Sequence, residues 1–144
     1  MQTFVPFPDI QRSARVLDTK RLGKQRSETM IIWNTLTGVY ERTGRKGWPH
    51  HPAVKMWQDA ESGLLKYGLE VCLEWQRRGY VDNGTLDWFD SRISWSRPTV
   101  MPWWWGRADV HRSHRSQLLQ KDRIYYRQHF PNEDDTLPYV WPGM

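Results

Sequence analysis

Two long stretches of the chain place apolar residues every three or four positions, which is the spacing of one face of an α-helix. The first stretch begins after Asp18, a residue type that caps helix N-termini, and ends at Gly38. The second begins at Pro52, which suits the first turn of a helix, and continues to Gly79. The pattern therefore predicts two long helices, and the second has the more regular spacing.

Shorter elements are predicted around these two helices. A short helix is expected over residues 9–17, and a last helix over residues 109–129 with Asp109 as its N-cap. Residues 43–51 and 80–106 lack helical spacing and contain glycines and prolines, so both are expected to be loops. The second of these loops is long and rich in aromatic residues.

Both ends of the chain are expected to be extended. Residues 1–8 are apolar and interrupted by two prolines, and the tail has prolines at positions 131, 138 and 142. The tail is also too apolar to be a free end, so it should pack. Together these elements predict an all-α fold: a compact single-domain bundle of three to four helices over residues 1–144, with long aromatic-rich loops and an extended N-terminus.

The length and the cysteine content indicate what stabilises the protein and in which compartment it is expected. A chain of 144 residues can bury a core without a disulfide or a structural metal. The single cysteine, Cys72, lies among apolar residues, where a thiol behaves as a small apolar group and fits a reducing compartment. No apolar run approaches the roughly 20 residues of a membrane span, and the N-terminus does not resemble a secretory signal. We therefore expect a cytoplasmic protein without a cofactor.

The charge and the tryptophan content favour a polyanionic partner. The chain has 21 Lys and Arg against 16 Asp and Glu, a net charge of +5, and most of the cations are arginine. Arginine binds phosphate bidentately and stacks on bases, and the ten tryptophans offer further stacking surfaces. A net charge of this size also occurs in proteins that use it only for solubility. DNA is the partner that the combination favours.

One carboxylate lies within a basic strip of the second predicted helix. Arg21, Lys24 and Glu28 follow the spacing i, i+3 and i+7, which places them within about 60° of arc. The strip borders the apolar face, so Glu28 should lie near the contact with neighbouring elements. One interpretation is an exposed ion pair between Glu28 and Lys24 with no function. The other is acid/base catalysis by Glu28 while the cations bind a phosphodiester backbone.

Other residues are weaker candidates for contacts with DNA. Candidates for phosphate binding beyond the strip are Arg12, Arg15, Arg26, Arg115 and Lys121. The run Trp103, Trp104, Trp105 offers base-stacking candidates, but packing of at least one ring in the core is an equal alternative. The pairs His50–His51 and His111–His114 have spacings that metal ligands use. No Cys or carboxylate completes either set, so helix capping, loop contacts or phosphate hydrogen bonds are expected instead, and no metal.

Several segments resemble the pyrimidine-dimer DNA glycosylase/AP lyase family of phage endonuclease V type. They are the run Asp18-Thr-Lys-Arg-Leu-Gly-Lys-Gln-Arg-Ser-Glu28, the helix end Glu74-Trp-Gln-Arg-Arg-Gly-Tyr80, and the late Leu118-Leu-Gln-Lys121 with its aromatic cluster. The opening Met-Gln-Thr-Phe, the segment His111-Arg-Ser-His-Arg115 and the segment Tyr139-Val-Trp-Pro142 resemble a branch of that superfamily without an established chemistry. The resemblance implies an all-helical domain whose N-terminus lies beside the glutamate helix.

The resemblance also implies a mechanism. In the family, the N-terminal α-amine attacks C1′ of the deoxyribose and displaces the base to form an imine. A glutamate that matches Glu28 assists, and β-elimination then nicks the strand. An α-amine is a weaker base than a lysine amine, so more of it is uncharged at physiological pH. The family's amine belongs to a threonine, whereas this chain begins Met-Gln, so the amine of Met1, that of Lys20 or that of Lys24 takes this role, or no imine forms.

Further departures concern the basic residues around the glutamate. Ser27 replaces the arginine that directly precedes it in the family, Ile31 replaces the arginine three residues after it, and Arg21 aligns with a histidine. The changes leave Glu28 and Met1 as the catalytic candidates. They weaken the expectation of specificity for dimers.

The sequence thus leads to one main hypothesis and two alternatives. The main hypothesis is a monomeric DNA glycosylase, with or without AP lyase activity, that acts on a damaged or modified pyrimidine nucleotide and needs no obligatory protein partner. The first alternative is a non-catalytic nucleic-acid-binding module. The second is an enzyme of free or hypermodified nucleotides, for which tight and salt-dependent DNA binding should be absent.

Overall fold

The computed structural model describes residues 1–143, which form eight helices and no strand. The helices are α1 (Ile10–Val16), α2 (Thr19–Leu36), α3 (Val39–Thr43), α4 (Pro52–Lys55), α5 (Glu61–Arg77), α6 (Thr85–Asp90), α7 (Ala108–Lys121) and α8 (Arg123–Arg127). The all-α prediction is confirmed, and the expected number of three to four helices is too low. No helix among these residues is both long enough and apolar enough to cross a bilayer.

The two helices at the start of the chain agree with the sequence pattern. Asp9 caps α1 by accepting from the backbone N–H of Arg12, and Asp18 caps α2 by accepting from that of Arg21. Short polar side chains at these positions satisfy backbone donors that the first helical turn leaves free. The second of these caps fixes the start of the helix that carries Glu28.

The predicted helix over residues 52–79 is two helices. Asp59 has a φ of 65°, in the left-handed region, so it interrupts the right-handed helix and separates α4 from α5. The apolar spacing remains regular across the interruption because Trp57, Ala60 and Leu64 are all buried in the same core. Because the same apolar repeat continues on both sides of Asp59, the sequence pattern does not show where the helix is interrupted.

The predicted last helix is also divided. Asp122, with a φ of −151°, ends α7, and its carboxylate accepts from the backbone N–H of Tyr125 to cap α8. The N-cap of α7 is Arg107, so the expectation that Asp109 caps this helix is wrong. Asp109 lies in the first turn instead, where a carboxylate interacts favourably with the helix dipole.

Two short helices lie where the sequence predicts no helix. Gly38 and Gly84 have φ values of 75° and 89°, and each precedes one of them, α3 and α6. These helices have five and six residues. An element of that length has too few turns for an apolar repeat to be recognised. Helix α6 lies within the predicted loop 80–106.

The core forms where α2 packs against α5. Leu22 and Ile32 of α2 are fully buried together with Leu64 and Val71 of α5. The ends of the chain cover this pair. Thr3, Phe4 and Val5 are buried, and Tyr139, Val140 and Trp141 pack against the core. The predicted extended N-terminus and packed tail are both confirmed, and residues from both ends lie beside the N-terminal half of α2.

Candidate active site

The N-terminal segment is held along α2 by one buried amide. Gln25 accepts from the backbone N–H of Phe4 at 3.0 Å and donates to the carbonyl oxygen of Gln2 at 2.9 Å. Tyr67 donates to the same Gln25 oxygen at 2.7 Å, so the orientation of the amide is fixed. A glutamine can do this because its amide both donates and accepts. Residues 2–4 therefore have a defined position on the helix.

Two buried histidines of α7 hold the other end of this segment. The backbone N–H of Val5 donates to Nδ1 of His114 at 3.0 Å, and Nδ1 of His111 lies 2.7 Å from the Val5 carbonyl oxygen. The backbone N–H of Gly106 donates to Nε2 of His111, so the proton of that ring is on Nδ1. These histidines, considered above as metal candidates, are anchors of the chain's start.

Both anchoring histidines are uncharged. Burial, with a smaller contribution from the neighbouring His111, lowers the pKa of His114 to about 3. Burial also lowers the pKa of His111, against the hydrogen bond to Val5, which raises it. Each ring must accept one backbone N–H, and a doubly protonated ring has no acceptor. The anchoring therefore depends on neutral imidazoles.

A cleft of about 380 Å³ opens where the N-terminus meets α2. Four cationic residues line it, Lys20, Arg21, Lys24 and Lys121. Its remaining walls are formed by Met1, Gln2, Phe4, Gln25, Glu28, His51, Tyr139 and Trp141. The cleft thus combines four cations with one carboxylate, the first residue of the chain and a histidine. Its volume falls within the range of sites that bind small organic groups.

Glu28 is half-buried in this cleft. Its Oε2 accepts from the backbone N–H of Gln2 at 3.3 Å and from Nε2 of Gln25 at 3.2 Å. Across residues 1–143, Glu28 takes part in no ion pair within 4.0 Å, including the one with Lys24 that the spacing allows. The carboxylate is positioned by neutral donors. One of them is the backbone N–H of Gln2, the residue that follows Met1.

Arg21 is held at the cleft by the cap of α2. Its Nη1 lies 3.2 Å from Oδ1 of Asp18, and the hydroxyl of Tyr126 bonds to the same carboxylate. Burial raises the pKa of Asp18, but the hydrogen bonds of Tyr126 and Arg21 and the guanidinium charge outweigh it and lower the pKa. Asp18 is therefore a carboxylate at neutral pH, and it orients the guanidinium.

His51 joins the cleft from a different part of the chain. It is the N-cap of α4, and its Nδ1 accepts from the backbone N–H of Ala53 at 3.0 Å. Burial lowers its pKa, the positive charge of the N-terminal amine lowers it further, and Glu28 raises it. The sequence signal for the cap is a histidine directly before Pro52. Nothing in that signal places the ring beside Glu28.

Other predicted phosphate-binding residues lie outside the cleft. Arg26 pairs with Asp82 at 2.9 Å and is only 14 % exposed. Arg115 bonds to Glu133 at 2.7 Å and to the carbonyl oxygen of Pro6. Arg12 is stacked over Phe7, and Arg15 is exposed. Of the seven predicted cations, the structure thus brings Arg21, Lys24 and Lys121 into the cleft and adds Lys20, which the sequence favours only as an alternative amine.

The three consecutive tryptophans have different environments. Trp104 is fully buried and donates to the carbonyl oxygen of Met56. Trp105 is half-buried and packs against Trp57 and His111. Trp103 is 66 % exposed, with the guanidinium of Arg107 5.3 Å from its ring. None of the three lines the cleft, and Trp104 belongs to the core.

Comparison with known proteins assigns the family. The family model described as pyrimidine dimer DNA glycosylase matches residues 1–87, which include the N-terminal segment, Glu28 and His51. The match covers more than half of the chain, so the protein belongs to the pyrimidine dimer DNA glycosylase family. No curated protein and no solved structure matches the chain. Lys121, Tyr139 and Trp141 of the cleft lie beyond the matched residues.

Proposed function

We propose that the protein is a DNA glycosylase that removes a damaged or modified pyrimidine and uses the amine of Met1 as its nucleophile. The observation that carries the proposal is the hydrogen bond from the Gln2 backbone to Glu28. The bonded residue, Gln2, directly follows the residue with the N-terminal amine, and the carboxylate lines a cleft with four cations. Family membership supports the same class of reaction.

The dimensions of the cleft fit an extruded nucleotide. Enzymes that react at C1′ of a duplex nucleotide must rotate it out of the helix, because the stacked duplex shields that atom. A cleft of about 380 Å³ accommodates one nucleotide but not a duplex. In this arrangement Lys20, Arg21, Lys24 and Lys121 bind the flanking phosphates, and the sugar lies between Met1 and Glu28.

The chemistry requires only groups that the cleft contains. The uncharged nitrogen of Met1 forms a bond to C1′ while the C1′–N1 bond breaks, and that electron pair leaves with the pyrimidine. The new secondary ammonium has two protons. Glu28 carries one of them to O4′ as the C1′–O4′ bond breaks, and the other goes to the departing base. A neutral imine between Met1 and C1′ remains.

AP lyase activity is a consequence of the imine. Protonation of the imine acidifies the C2′ protons, because the resulting enamine delocalises the electron pair. Removal of one such proton expels the 3′-phosphate and nicks the strand. Glu28 is within reach of the same sugar and serves as the base. We therefore include strand scission at an abasic site in the proposed activity.

The amine of Met1 is favoured over the two lysines of the cleft. Met1, Lys20 and Lys24 are all exposed, so burial does not distinguish the three amines. An α-amine is less basic than a lysine amine even in water. The hydrogen bonds of Gln2 and Phe4 also fix the backbone next to Met1, whereas a lysine amine lies at the end of four flexible methylenes.

Trapping with borohydride tests the proposal directly. Oligonucleotides with a pyrimidine photodimer, an abasic site, uracil or a modified pyrimidine are incubated with the protein and scored for free base and for strand scission. Borohydride reduces an imine to a stable amine, so a covalent adduct at an abasic site is expected. Peptide mapping should locate that adduct on Met1, and blocking of the α-amine by acetylation should abolish it.

Two other results would replace the proposal. DNA binding with neither base release nor an adduct would identify a non-catalytic nucleic-acid-binding module. Turnover of free nucleotides without salt-dependent DNA binding would identify an enzyme of nucleotide metabolism. An adduct on Lys20 or Lys24 would keep the glycosylase and reject Met1.

A further inference from the structure

We propose that His51 is a further catalytic residue and that its Nε2–H donates a hydrogen bond to the O2 carbonyl oxygen of the departing pyrimidine. The inference rests on the proposed glycosylase function and concerns how the leaving base is stabilised. It begins from the position of the ring, which lies in the same cleft as Met1 and Glu28. Those two residues act on the sugar, and no other group has been assigned to the base.

The cap of α4 determines which nitrogen of His51 carries the proton. Nδ1 accepts from the backbone N–H of Ala53 at 3.0 Å, so that nitrogen is unprotonated in the neutral ring and the proton is on Nε2. Within residues 1–143, Nε2 has no hydrogen-bond partner and is not among the buried unpaired atoms. The Nε2–H therefore belongs to a half-buried ring in a cleft and is free to donate to a substrate.

The ring is also fixed in orientation. The following residue is Pro52, whose ring restricts the backbone, and the cap bond holds one edge of the imidazole. Trp141 packs against the ring in an edge-to-face arrangement, with centroids 6.4 Å apart and an interplanar angle of 88°. A donor that is oriented before the substrate arrives does not have to be ordered in the transition state.

The uncharged state of His51 matches a base better than a phosphate. A second proton would remove the acceptor that caps α4, and burial already lowers the pKa of His51, although Glu28 acts in the opposite direction. The cleft already has four cations that can bind phosphate. A neutral N–H donor is suited to a carbonyl oxygen instead.

The chemistry of base departure requires such a donor. As the C1′–N1 bond breaks, its electron pair is delocalised over N1 and the adjacent O2 of the pyrimidine. A hydrogen bond to O2 strengthens as that negative charge develops, so it lowers the barrier to base release. It has no part in the reaction at an abasic site, because that substrate has no base. A comparison of a pyrimidine substrate with an abasic site therefore distinguishes a role of His51 at the base from a role at the sugar.

The test uses two variants that divide the functions of the ring. In His51→Asn, the side-chain oxygen lies near the position of Nδ1, so it retains the cap but has no donor at the position of Nε2. In His51→Gln, the longer amide returns an N–H donor near that position and gives up the short-range cap. Base release from a pyrimidine substrate and borohydride trapping at an abasic site are measured for both variants and the wild type, together with the unfolding free energy.

We expect His51→Asn to release base about 100-fold more slowly, the typical effect of losing one such donor. Its trapping at an abasic site and its stability should match the wild type. His51→Gln should recover much of the base release, with lower stability. Unchanged base release in His51→Asn would overturn the inference, as would an equal loss of base release and trapping. A wild-type protein that gives neither base nor adduct would instead overturn the proposed function, and the inference with it.

Discussion

The backbone N–H of Gln2 donates to Oε2 of Glu28 at 3.3 Å, although the two residues are 26 positions apart in sequence. This contact joins the start of the chain to the middle of α2. Gln25, one turn earlier on the same helix, fixes both partners by bonding to the Gln2 carbonyl and to the Glu28 carboxylate. The position of the Gln2 backbone, which follows the N-terminal amine, is thus set by residues of α2.

Replacement of Glu28 by Gln should abolish turnover while DNA affinity remains. The amide can still accept from the Gln2 backbone, but it cannot transfer protons to O4′ or from C2′. We expect base release to fall at least 100-fold, within the range for general acid–base groups. Glu70→Gln is the matched control, because that half-buried carboxylate lines a different cleft. Retained turnover in Glu28→Gln would reject the assignment of Glu28.

Replacement of Gln25 by Ala should release the N-terminal segment. The change leaves the Phe4 N–H without its acceptor and the Gln2 carbonyl oxygen without its donor in a buried region. Each unsatisfied buried group costs about 1–3 kcal/mol, so the free energy of unfolding should fall by at least that amount. Trapping at an abasic site should fall more steeply with temperature than in the wild type. An unaltered trapping rate would contradict the positioning role of Gln25.

The stability of the protein should decrease as the pH falls from 6.5 towards 5. In the unfolded chain His111 and His114 bind protons near their ordinary pKa of 6.5, but in the fold both pKa values are lowered, that of His114 to about 3. Below pH 6.5 the unfolded state therefore binds more protons, and stability is lost progressively with acidification. Each histidine contributes a slope of up to about 1.4 kcal/mol per pH unit.

Urea denaturation at several pH values measures this slope. The window between pH 5 and 6.5 lies above the titration of ordinary carboxyl groups, so their contribution is small. The matched variant is His114→Asn, whose side-chain oxygen can still accept from the Val5 backbone but does not titrate. Its slope should be smaller by about one histidine's contribution. An identical slope in the wild type and the variant would show that the buried ring does not control the acid sensitivity.

Replacement of Lys24 by Ala should weaken DNA binding and reduce its salt dependence. Each phosphate contact contributes close to one unit to the slope of log affinity against log salt concentration. We therefore expect the slope to fall by about one unit for Lys24→Ala and again for Lys121→Ala, since both side chains line the cleft. Lys55→Ala is the control, because Lys55 is exposed on α4 and does not line the cleft. Equal slopes in Lys24→Ala and Lys55→Ala would place the DNA elsewhere.

The sequence predicts the helix of the site better than its surroundings. Arg21, Lys24 and Glu28 lie on one helix, so their mutual positions follow from its geometry, and all three line the cleft. The contribution of His51 could not be found in this way, because it depends on how a loop approaches α2. That approach is determined by tertiary packing, and no local sequence pattern indicates it.

Gln25 illustrates a second limit. In the sequence it is a polar residue between two cations, and a polar position on a basic helix is expected to face solvent. In the fold it is 1 % exposed, because the N-terminal segment covers it and the amide satisfies the backbone groups of that segment. Arg26 likewise resembles a phosphate ligand until Asp82, 56 residues later, is seen to bond to it. In both cases, bonds to residues distant in sequence determine what the side chain does in the fold.

The anchoring of Val5 by His111 and His114 has a consequence for biosynthesis. A ribosome releases the N-terminal segment first, but the two imidazoles that hold it follow more than 100 residues later. Until then the segment can contact Gln25 of α2 but lacks the partners that hold Val5. We therefore expect the N-terminal segment to be held less firmly beside Glu28 until α7 has been synthesised and has packed against it.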